Sequence, residues 1–408
     1  MQKQKILILS WEIYPVYCGG LGVLVNHLVK ELISQGHKVD ILIPNTHGIE
    51  VPKNVISLES QIDKISKNFK PIENFKFPLT KFQLTKPRIK SEKIDLIYNN
   101  NTPLIAQYYA YAVEDYLKCK KYDMILGMDW TSIPTFVQLQ NVKNKTNFAF
   151  YINSTEYDRN YGMKKISYCS KIISEIEKKY FKQSSIVFTV SELTSKHLNT
   201  IHKVNKSKIK VIHNDSEFVE NINPKIKKNK KQILFLGRIV HQKGLLYLLQ
   251  ALRKVRLKDP LINLKIVGSG EYKKKLIKYI DKYNLEPSVK FINWQDGADK
   301  LLSFQSASLF AMPSVSEPFG LTALESIRSG TPVLASDMCG FTDLIPSTPT
   351  YNYNKSAQLA KNILSLFSSS SNLTTLHDSQ LKELRNHSWS EQVKNLCELI
   401  FNTNLKEK

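Results

Sequence analysis

Both halves of the chain repeat one pattern, in which an apolar run is followed by a turn and a segment with helical periodicity. Near the N terminus, residues 5–10 (KILILS) are typical of a buried parallel strand, and the leucines of residues 24–36 recur at helical spacing. In the second half, residues 231–237 (KQILFLG) and 245–255 (LLYLLQALRKV) repeat the order strand then helix. Because parallel sheets covered by helices show this alternation, the sequence predicts an α/β fold of two doubly wound, Rossmann-like domains.

A polar, lysine-rich run divides the two halves. Residues 223–231 (NPKIKKNKK) have no apolar period, which is typical of a linker. A chain of 408 residues also exceeds what one hydrophobic core usually supports. We therefore predict an N-terminal domain over 1–222, a C-terminal domain over 232–385, and a final helix within 386–408 that packs back across the domains. The short run SSSSN (368–372) predicts a loop.

The chain is strongly basic. Its 58 Lys and Arg residues exceed its 36 Asp and Glu residues, which gives a formal net charge of +22. Such an excess suits phosphate-bearing small molecules, anionic membranes or nucleic acid, although a lysine-rich composition alone would also produce it. No motif of a nucleic-acid-binding fold accompanies the charge, so we expect no nucleic-acid partner. Residues 81–93 (KFQLTKPRIKSEK) combine basic and apolar side chains, which makes an anionic membrane a candidate partner.

Cysteine content and hydropathy bear on the compartment. The N-terminal residues lack the pattern of a secretory signal, and no run of about 18 apolar residues predicts a membrane span. The cysteines are odd in number and form no CxxC pair, which favours reduced thiols over disulfides or structural zinc. They are Cys18, Cys119, Cys169, Cys339 and Cys397. These features predict a cytoplasmic protein, with peripheral contact at the inner membrane face as a further expectation.

The most informative stretch is SEPFGLTALE (316–325), which carries two glutamates separated by seven residues. Glu317 precedes a predicted helix and Glu325 lies inside it. The N–H groups of a first helical turn favour negative ligands, and carboxylates accept hydrogen bonds from sugar hydroxyls. The alternative is structural: Glu325 pairs with Arg328 on a solvated face, and Glu317 complements the helix dipole.

This stretch belongs to a longer segment, MPSVSEPFGLTALESIRSGTPVLASDMCG (312–340), that resembles a known signature. It is similar to retaining, GT-B-fold, nucleotide-sugar glycosyltransferases of family 4, including their E-x7-E motif. The resemblance implies two Rossmann-like domains that face a central cleft. It also implies that Glu317 faces the donor sugar and that Glu325 binds the ribose of the nucleotide. Nucleotide-sugar contacts are further implied for Phe319, Gly320 and Leu321.

A second match is LGRIVHQKG (236–244), which is similar to the G-R-x(4)-K-G pattern of the same family. The match falls on Gly237, Arg238 and Lys243. Fixed cations stabilise the negative charge that a diphosphate leaving group gains, and they remove the need for a metal. With no DxD-like cluster in the sequence, we expect neither a metal nor a cofactor. The alternative is that both cations are ordinary solvated charges.

Two N-terminal segments extend the resemblance. SWEIYPVYCGGLG (10–22) is similar to the donor-facing glycine loop of glycogen and starch synthases, in which Gly20 and Gly22 let the backbone approach the ligand. Tyr17 stands where those synthases have a lysine. GMDWTSIP (127–134) resembles the acidic-tryptophan segment of the family and implies that Asp129 lies at the cleft.

One departure from the family bears on activity. In NFAFYINSTEYDRNYG (147–162), Tyr151 and Asn153 replace two histidines of close relatives, the second of which faces the donor sugar. Asn153 can hydrogen-bond a sugar but cannot change charge near neutral pH. The main hypothesis is a retaining, metal-independent glycosyltransferase that moves a sugar from a nucleotide diphosphate sugar to a hydroxyl of a glycan, a lipid-linked acceptor or a small molecule. The alternatives are a pseudoenzyme that binds the donor without efficient turnover and a glucosyltransferase of the glycogen- or starch-synthase type.

Overall fold

The computed structural model describes residues 3–17, 19–67, 102–140, 146–161, 163, 166–216, 218 and 220–401. Two expectations from the sequence concern residues outside this set: the reduced thiol of Cys18 and the membrane contact of the basic segment 81–93.

The N-terminal half forms a parallel sheet that has seven strands within the described residues, in the order β3-β2-β1-β4-β5-β6-β7. The central strands are apolar on both faces because helices cover both sides of the sheet. In β1, for example, residues 6–9 are all buried. The strands are β1 (Lys5–Leu9), β2 (Lys38–Ile43), β3 (Val55–Ser57), β4 (Met124–Met128), β5 (Asn147–Ile152), β6 (Val187–Thr189) and β7 (Ile209–Val211).

The C-terminal half repeats this architecture with six strands among the described residues, in the order β10-β9-β8-β11-β12-β13. All of its pairings are parallel. The strands are β8 (Gln232–Leu236), β9 (Asn263–Val267), β10 (Val289–Ile292), β11 (Leu309–Met312), β12 (Val333–Ser336) and β13 (Thr350–Tyr351). The predicted α/β class with two doubly wound sheets is confirmed.

Helices cover both sheets and bury leucine-rich faces against them. In the N-terminal half they are α1 (Gly20–Ser34), α2 (Glu59–Lys67), α3 (Thr102–Leu117), α4 (Ile133–Leu139), α5 (Glu156–Asn160), α6 (Tyr168–Tyr180) and α7 (Glu192–Thr200). In the C-terminal half they are α8 (Leu245–Arg256), α9 (Lys273–Lys282), α10 (Gly297–Ser306), α11 (Leu321–Arg328), α12 (Ser356–Phe367), α13 (Ser370–Arg385) and α14 (Trp389–Phe401). The loop prediction for 368–372 is wrong, because Ser369 caps α13 by accepting a hydrogen bond from the N–H of Ser371.

The last helix, α14, returns to the N-terminal half and packs against α1. The indole of Trp389 stacks on the imidazole of His27 with ring centroids 5.0 Å apart, and Gln35 donates a hydrogen bond to the carbonyl of Ser390. The chain between β7 and β8 is therefore one connection between the two halves, and α14 is a second. In the part of the chain that is described, no helix is long and apolar enough to cross a membrane.

Candidate functional site

The carboxyl ends of the two sheets face each other across an interdomain cleft. Direct hydrogen bonds bring the two edges together. The hydroxyl of Ser191, after β6, donates to the carbonyl of Pro318, after β11, at 2.6 Å. The amide of Gln242, after β8, donates to the carbonyl of Asp158 at 3.4 Å. Ligands of open parallel sheets bind at such carboxyl edges, so the cleft is the candidate site.

Tyr17 marks the N-terminal wall of the cleft opposite the C-terminal half. Burial raises the pKa of its hydroxyl, and the carboxylates of Asp296 and Glu325 raise it further. Both carboxylates belong to the other half of the chain, so Tyr17 faces the C-terminal wall of the cleft. The position that holds a lysine in glycogen and starch synthases therefore presents an uncharged hydroxyl near two acidic groups.

Glu317 and Lys243 form an ion pair on the C-terminal wall. The ammonium of Lys243 contacts Oε2 of Glu317, and the Ser314 hydroxyl donates to the same oxygen at 3.2 Å. The backbone of Glu317 is fixed as well, because its N–H donates to the carbonyl of Met338 and its carbonyl accepts from the N–H of Gly340. Two predicted site residues thus meet, with the carboxylate held in one orientation.

Gly244 explains how Lys243 reaches this position. Its φ of 67° lies in the left-handed region, and a Cβ at this position would lie 1.7 Å from the carbonyl oxygen of Pro313. The loop after β8 therefore crosses directly over the chain leaving β11, where the N–H of Val315 donates to the carbonyl of Gln242 at 2.8 Å. Only glycine permits both the backbone angle and the close approach.

Arg238 lies on the same edge, immediately after β8. The loop is pinned to the exit of β9, since the N–H of Gly237 donates to Val267 at 3.0 Å and the N–H of Ile239 donates to Ser269 at 2.6 Å. The guanidinium is half-buried, and no described residue pairs with it by a salt bridge or hydrogen bond. An arginine carries five N–H donors, so this side chain is available to a planar anionic ligand.

Glu325 lies in the second turn of α11 and is 7% exposed. Its partner is Lys300 of α10, whose Nζ lies 2.8 Å from Oε1 and 2.7 Å from Oε2. Burial raises the pKa of Glu325, and the charge of Lys300 opposes that shift. The alternative in which Glu325 pairs with Arg328 on a solvated face is wrong, because Arg328 binds the carboxylate of Asp215 instead.

The start of α11 follows Glu317 on the C-terminal wall of the cleft. The ring of Phe319 is 3% exposed and packs near His213, with centroids 6.3 Å apart. Gly320 precedes the helix and Leu321 begins it. The N–H groups of Leu321 and Thr322 have no intrahelical partners and are therefore available to a ligand, whereas the N–H of Ala323 donates to the carbonyl of Gly320.

Asp129 follows β4 and is 4% exposed. Its carboxylate accepts from the N–H groups of Asn153 at 2.7 Å and Ser154 at 3.2 Å, and it lies 3.4 Å from the guanidinium of Arg159. Burial raises the pKa of Asp129 to about 6, against the opposing charge of Arg159. In this structure the carboxylate orients the loop that carries Asn153.

The two residues that replace family histidines have different surroundings. Tyr151 lies in the core of the N-terminal sheet, is fully buried, and donates to Oδ1 of Asn214 at 3.0 Å. Asn153 is half-buried at the carboxyl end of β5, on the cleft side. Tyr151 is therefore a packing residue, and only Asn153 is placed to affect a ligand.

Gly20 and Gly22 do not form a loop. Gly20 is the first residue of α1 and Gly22 lies in its first turn. A Cβ on Gly22 would lie 2.3 Å from Cβ of Tyr17, so this glycine allows the helix to pack against the preceding segment. The expectation that both glycines belong to a ligand-facing loop is wrong for the backbone, since the helix begins earlier than the leucine period indicates.

Several polar residues lie beneath the cleft: Asp158 belongs to the family-like segment STEYDR, whereas Glu177 and His197 carry no signal in the sequence. Asp158 caps α5 and binds the imidazole of His197 at 2.6 Å, while the fully buried Glu177 accepts from the N–H of Glu156 at 3.0 Å. Burial raises the pKa of Glu177 well above its usual range. Among the described residues, no group of three or more His, Cys, Asp or Glu side chains could hold a metal ion.

Comparison with known proteins agrees with this geometry. Residues 5–218 match the family described as starch synthase catalytic domain, and residues 218–385 match glycosyl transferases group 1. The chain belongs to the starch synthase catalytic domain family of glycosyltransferases. Its two matched regions meet at residue 218, in the connection between the sheets.

Individual relatives of this glycosyltransferase cover most of its length. An uncharacterized glycosyltransferase of Methanocaldococcus jannaschii is 28% identical over 354 residues, covering 84% of this chain and 82% of the relative. The glycogen synthase of Mycobacterium tuberculosis is 24% identical over 352 residues, covering 84% and 80%.

Solved structures show the same fold. Sucrose-phosphate synthase from Thermosynechococcus elongatus has a TM-score of 0.72 at 18% identity and covers 97% of this chain and 98% of its own. The catalytic domain of starch synthase IV from Arabidopsis thaliana, bound to ADP and acarbose, has a TM-score of 0.68 at 14% identity, covering 98% and 99%. The GT-B arrangement of two Rossmann-like domains is thereby confirmed.

Proposed function

We propose that this glycosyltransferase moves a sugar from a nucleotide diphosphate sugar to an acceptor hydroxyl, with retention at the anomeric carbon and without a metal, as in family 4. The observation that carries the proposal is Arg238, a half-buried guanidinium with no protein partner among the described residues, on the same sheet edge as Lys243. An unpaired cation in a cleft is suited to an anionic ligand. Structural neighbours support a nucleotide, because one from Anabaena was solved with UDP and glucose and another with ADP.

In this proposal the C-terminal wall binds the donor from end to end. Glu325 accepts hydrogen bonds from the ribose, while Arg238 and Lys243 contact the diphosphate. Glu317, whose carboxylate is fixed by Ser314 and Lys243, faces the sugar. Donor binding would transfer part of the Lys243 interaction from Glu317 to phosphate, which leaves a Glu317 oxygen free to accept from a sugar hydroxyl.

Bond cleavage concentrates negative charge on the leaving diphosphate. Two cations on one wall of the cleft stabilise this charge more in the transition state than in the ground state. With no carboxylate assigned as a nucleophile, the departing phosphate accepts the acceptor's proton on the face from which it leaves, and the new bond forms on that face. Asn153 contributes a hydrogen bond to the donor sugar rather than a proton.

Binding is tested by a thermal-shift screen of UDP-, GDP- and ADP-sugars, since a ligand of the folded state raises the melting temperature by mass action. We expect one nucleotide class to stabilise the wild type. Glu325→Ala should then weaken its calorimetric affinity by roughly 10-fold or more, as hydrogen bonds to a charged group contribute about 1.5–3 kcal/mol. Glu391→Ala, at an exposed position of α14, is the control. Unchanged affinity in Glu325→Ala would refute its assignment to the ribose.

Metal independence is tested by measuring transfer and donor hydrolysis in excess EDTA. We expect unchanged turnover, because Arg238 and Lys243 supply the positive charge that a divalent ion would otherwise provide. Loss of turnover that magnesium or manganese restores would contradict the proposal.

The same assay addresses the second hypothesis. A pseudoenzyme would bind the donor and show neither hydrolysis nor transfer with any acceptor. Asn153, at the cleft in place of a histidine, is the residue that motivates this alternative.

Peripheral contact of residues 81–93 with an anionic membrane stays a prediction.

A further inference from the structure

The partner of Glu325 is a lysine that the family motifs do not include. The ammonium of Lys300 contacts both oxygens of the Glu325 carboxylate, with Nζ 2.8 Å from Oε1 and 2.7 Å from Oε2. We propose that Lys300 is a positioning residue for the donor nucleotide, which holds the Glu325 carboxylate ionised and oriented to accept hydrogen bonds from the ligand. This inference rests on the proposed function.

The ammonium of Lys300 is itself fixed in place. It lies in the first half of α10, and its backbone N–H donates to the carbonyl of Asp296 at 3.4 Å. Nζ also lies 5.2 Å from the ring centroid of Phe218, which packs edge-on against Phe304. Only 18% of the Lys300 side chain is exposed. A cation held between an aromatic face and a carboxylate loses little further entropy when a ligand binds.

The charged groups around Glu325 lie in the C-terminal half, and a neutral phenol faces it from the N-terminal half. Burial is the largest influence and raises the pKa of its carboxyl. Lys300 is the main charge that lowers this pKa, and Arg328 of the same helix as Glu325 lowers it more weakly. The carboxylate of Asp296 raises it, as burial does. Tyr17 faces the carboxylate from the N-terminal half. Arg328 is bound to Asp215. Removing Lys300 would therefore remove the main charge that counteracts the effect of burial on the pKa of Glu325.

The protonation state of Glu325 decides what it can bind. An ionised carboxylate accepts hydrogen bonds at both oxygens, whereas a protonated carboxyl must donate at one. A ribose diol requires acceptors. Without Lys300, the pKa of Glu325 rises, so the carboxyl protonates as pH falls through the raised value and the nucleotide binds less tightly. With Lys300 present, Glu325 stays ionised and affinity changes little over the same range.

The test is calorimetric affinity of the donor nucleotide across about pH 5.5 to 8.5 for the wild type and Lys300→Met, which keeps most of the stem and removes the charge. We expect the two to converge at high pH, and the variant to weaken by about tenfold for each pH unit below the raised pKa. Lys300→Arg should retain the wild-type profile. Lys254→Met, at an exposed position of α8, is the matched control. Thermal melts establish that each variant is folded.

Two results would overturn the inference. Wild-type affinity in Lys300→Met at every pH would show that the lysine does not set the charge of Glu325. Equal weakening at every pH would show that Lys300 contacts the ligand directly. If the wild type binds no nucleotide, the proposed function fails, and carbon-13 NMR titration of the Glu325 carboxyl without ligand, assigned with Glu325→Gln, tests Lys300 alone. A higher pKa in Lys300→Met supports the inference, and an equal pKa refutes it.

Discussion

Arg238→Ala is expected to lower turnover by about 10²-fold or more, the scale on which enzymes lose rate when one donor to a developing negative charge is removed. The side chain follows β8 in a loop whose backbone is pinned to β9 on both sides of the arginine, so its truncation should leave the loop in place. Because no described residue pairs with the guanidinium, its removal leaves no buried charge of the protein without a partner. The loss should therefore appear in catalysis and donor affinity rather than in stability.

The measurement is kcat and kcat/KM for donor hydrolysis or transfer, with Arg238→Lys as a graded variant. Lysine keeps the charge but not the planar fork, so its activity should fall between those of the wild type and the alanine variant. Arg253→Ala, at an exposed position of α8, is the control and should leave both constants unchanged. Wild-type kcat in Arg238→Ala would mean that the cleft does not use this arginine for the leaving group.

The fold was largely predictable because its cause is local. Apolar runs such as residues 5–10 and 231–237 are continuous rather than alternating, which occurs when both faces of a strand are covered. The turn after β8 was predictable for a similar reason, since the left-handed backbone at Gly244, with φ of 67°, favours glycine. These are features in which one short stretch of sequence determines its own backbone.

The side-chain partners in the cleft were not predictable, because they join residues distant in sequence. Spacing offers Arg328 as the partner of Glu325, at i, i+3 on one helix. In the structure, Arg328 binds Asp215, more than a hundred positions earlier in the sequence, and Glu325 pairs with Lys300 of another helix. Tyr151 shows the same limit, since alignment with a family histidine did not reveal that its phenol points into the core.

The pair formed by Arg328 and Asp215 should contribute strongly to stability. It is bidentate, with N–O distances of 2.5 and 2.9 Å, and the exposed fractions of the two side chains are 14% and 9%. The same guanidinium donates to the carbonyl and hydroxyl of Ser216. Arg328→Ala leaves the Asp215 carboxylate buried without its partner, which costs roughly 3–5 kcal/mol. The apparent melting temperature should fall by roughly 6–20 °C for a domain of this size.

The chain contains its own control for this prediction. Arg385 and Glu220 form a second bidentate pair, at 2.9 and 2.6 Å, but the side chains are 61% and 36% exposed. Water screens such a pair and solvates whichever partner remains, so Arg385→Ala should shift the melting temperature far less. If the two alanine variants melt together, burial does not distinguish the pairs. If Arg328→Ala is the only destabilised variant, adding Asp215→Leu should recover stability, because no buried charge then lacks a partner.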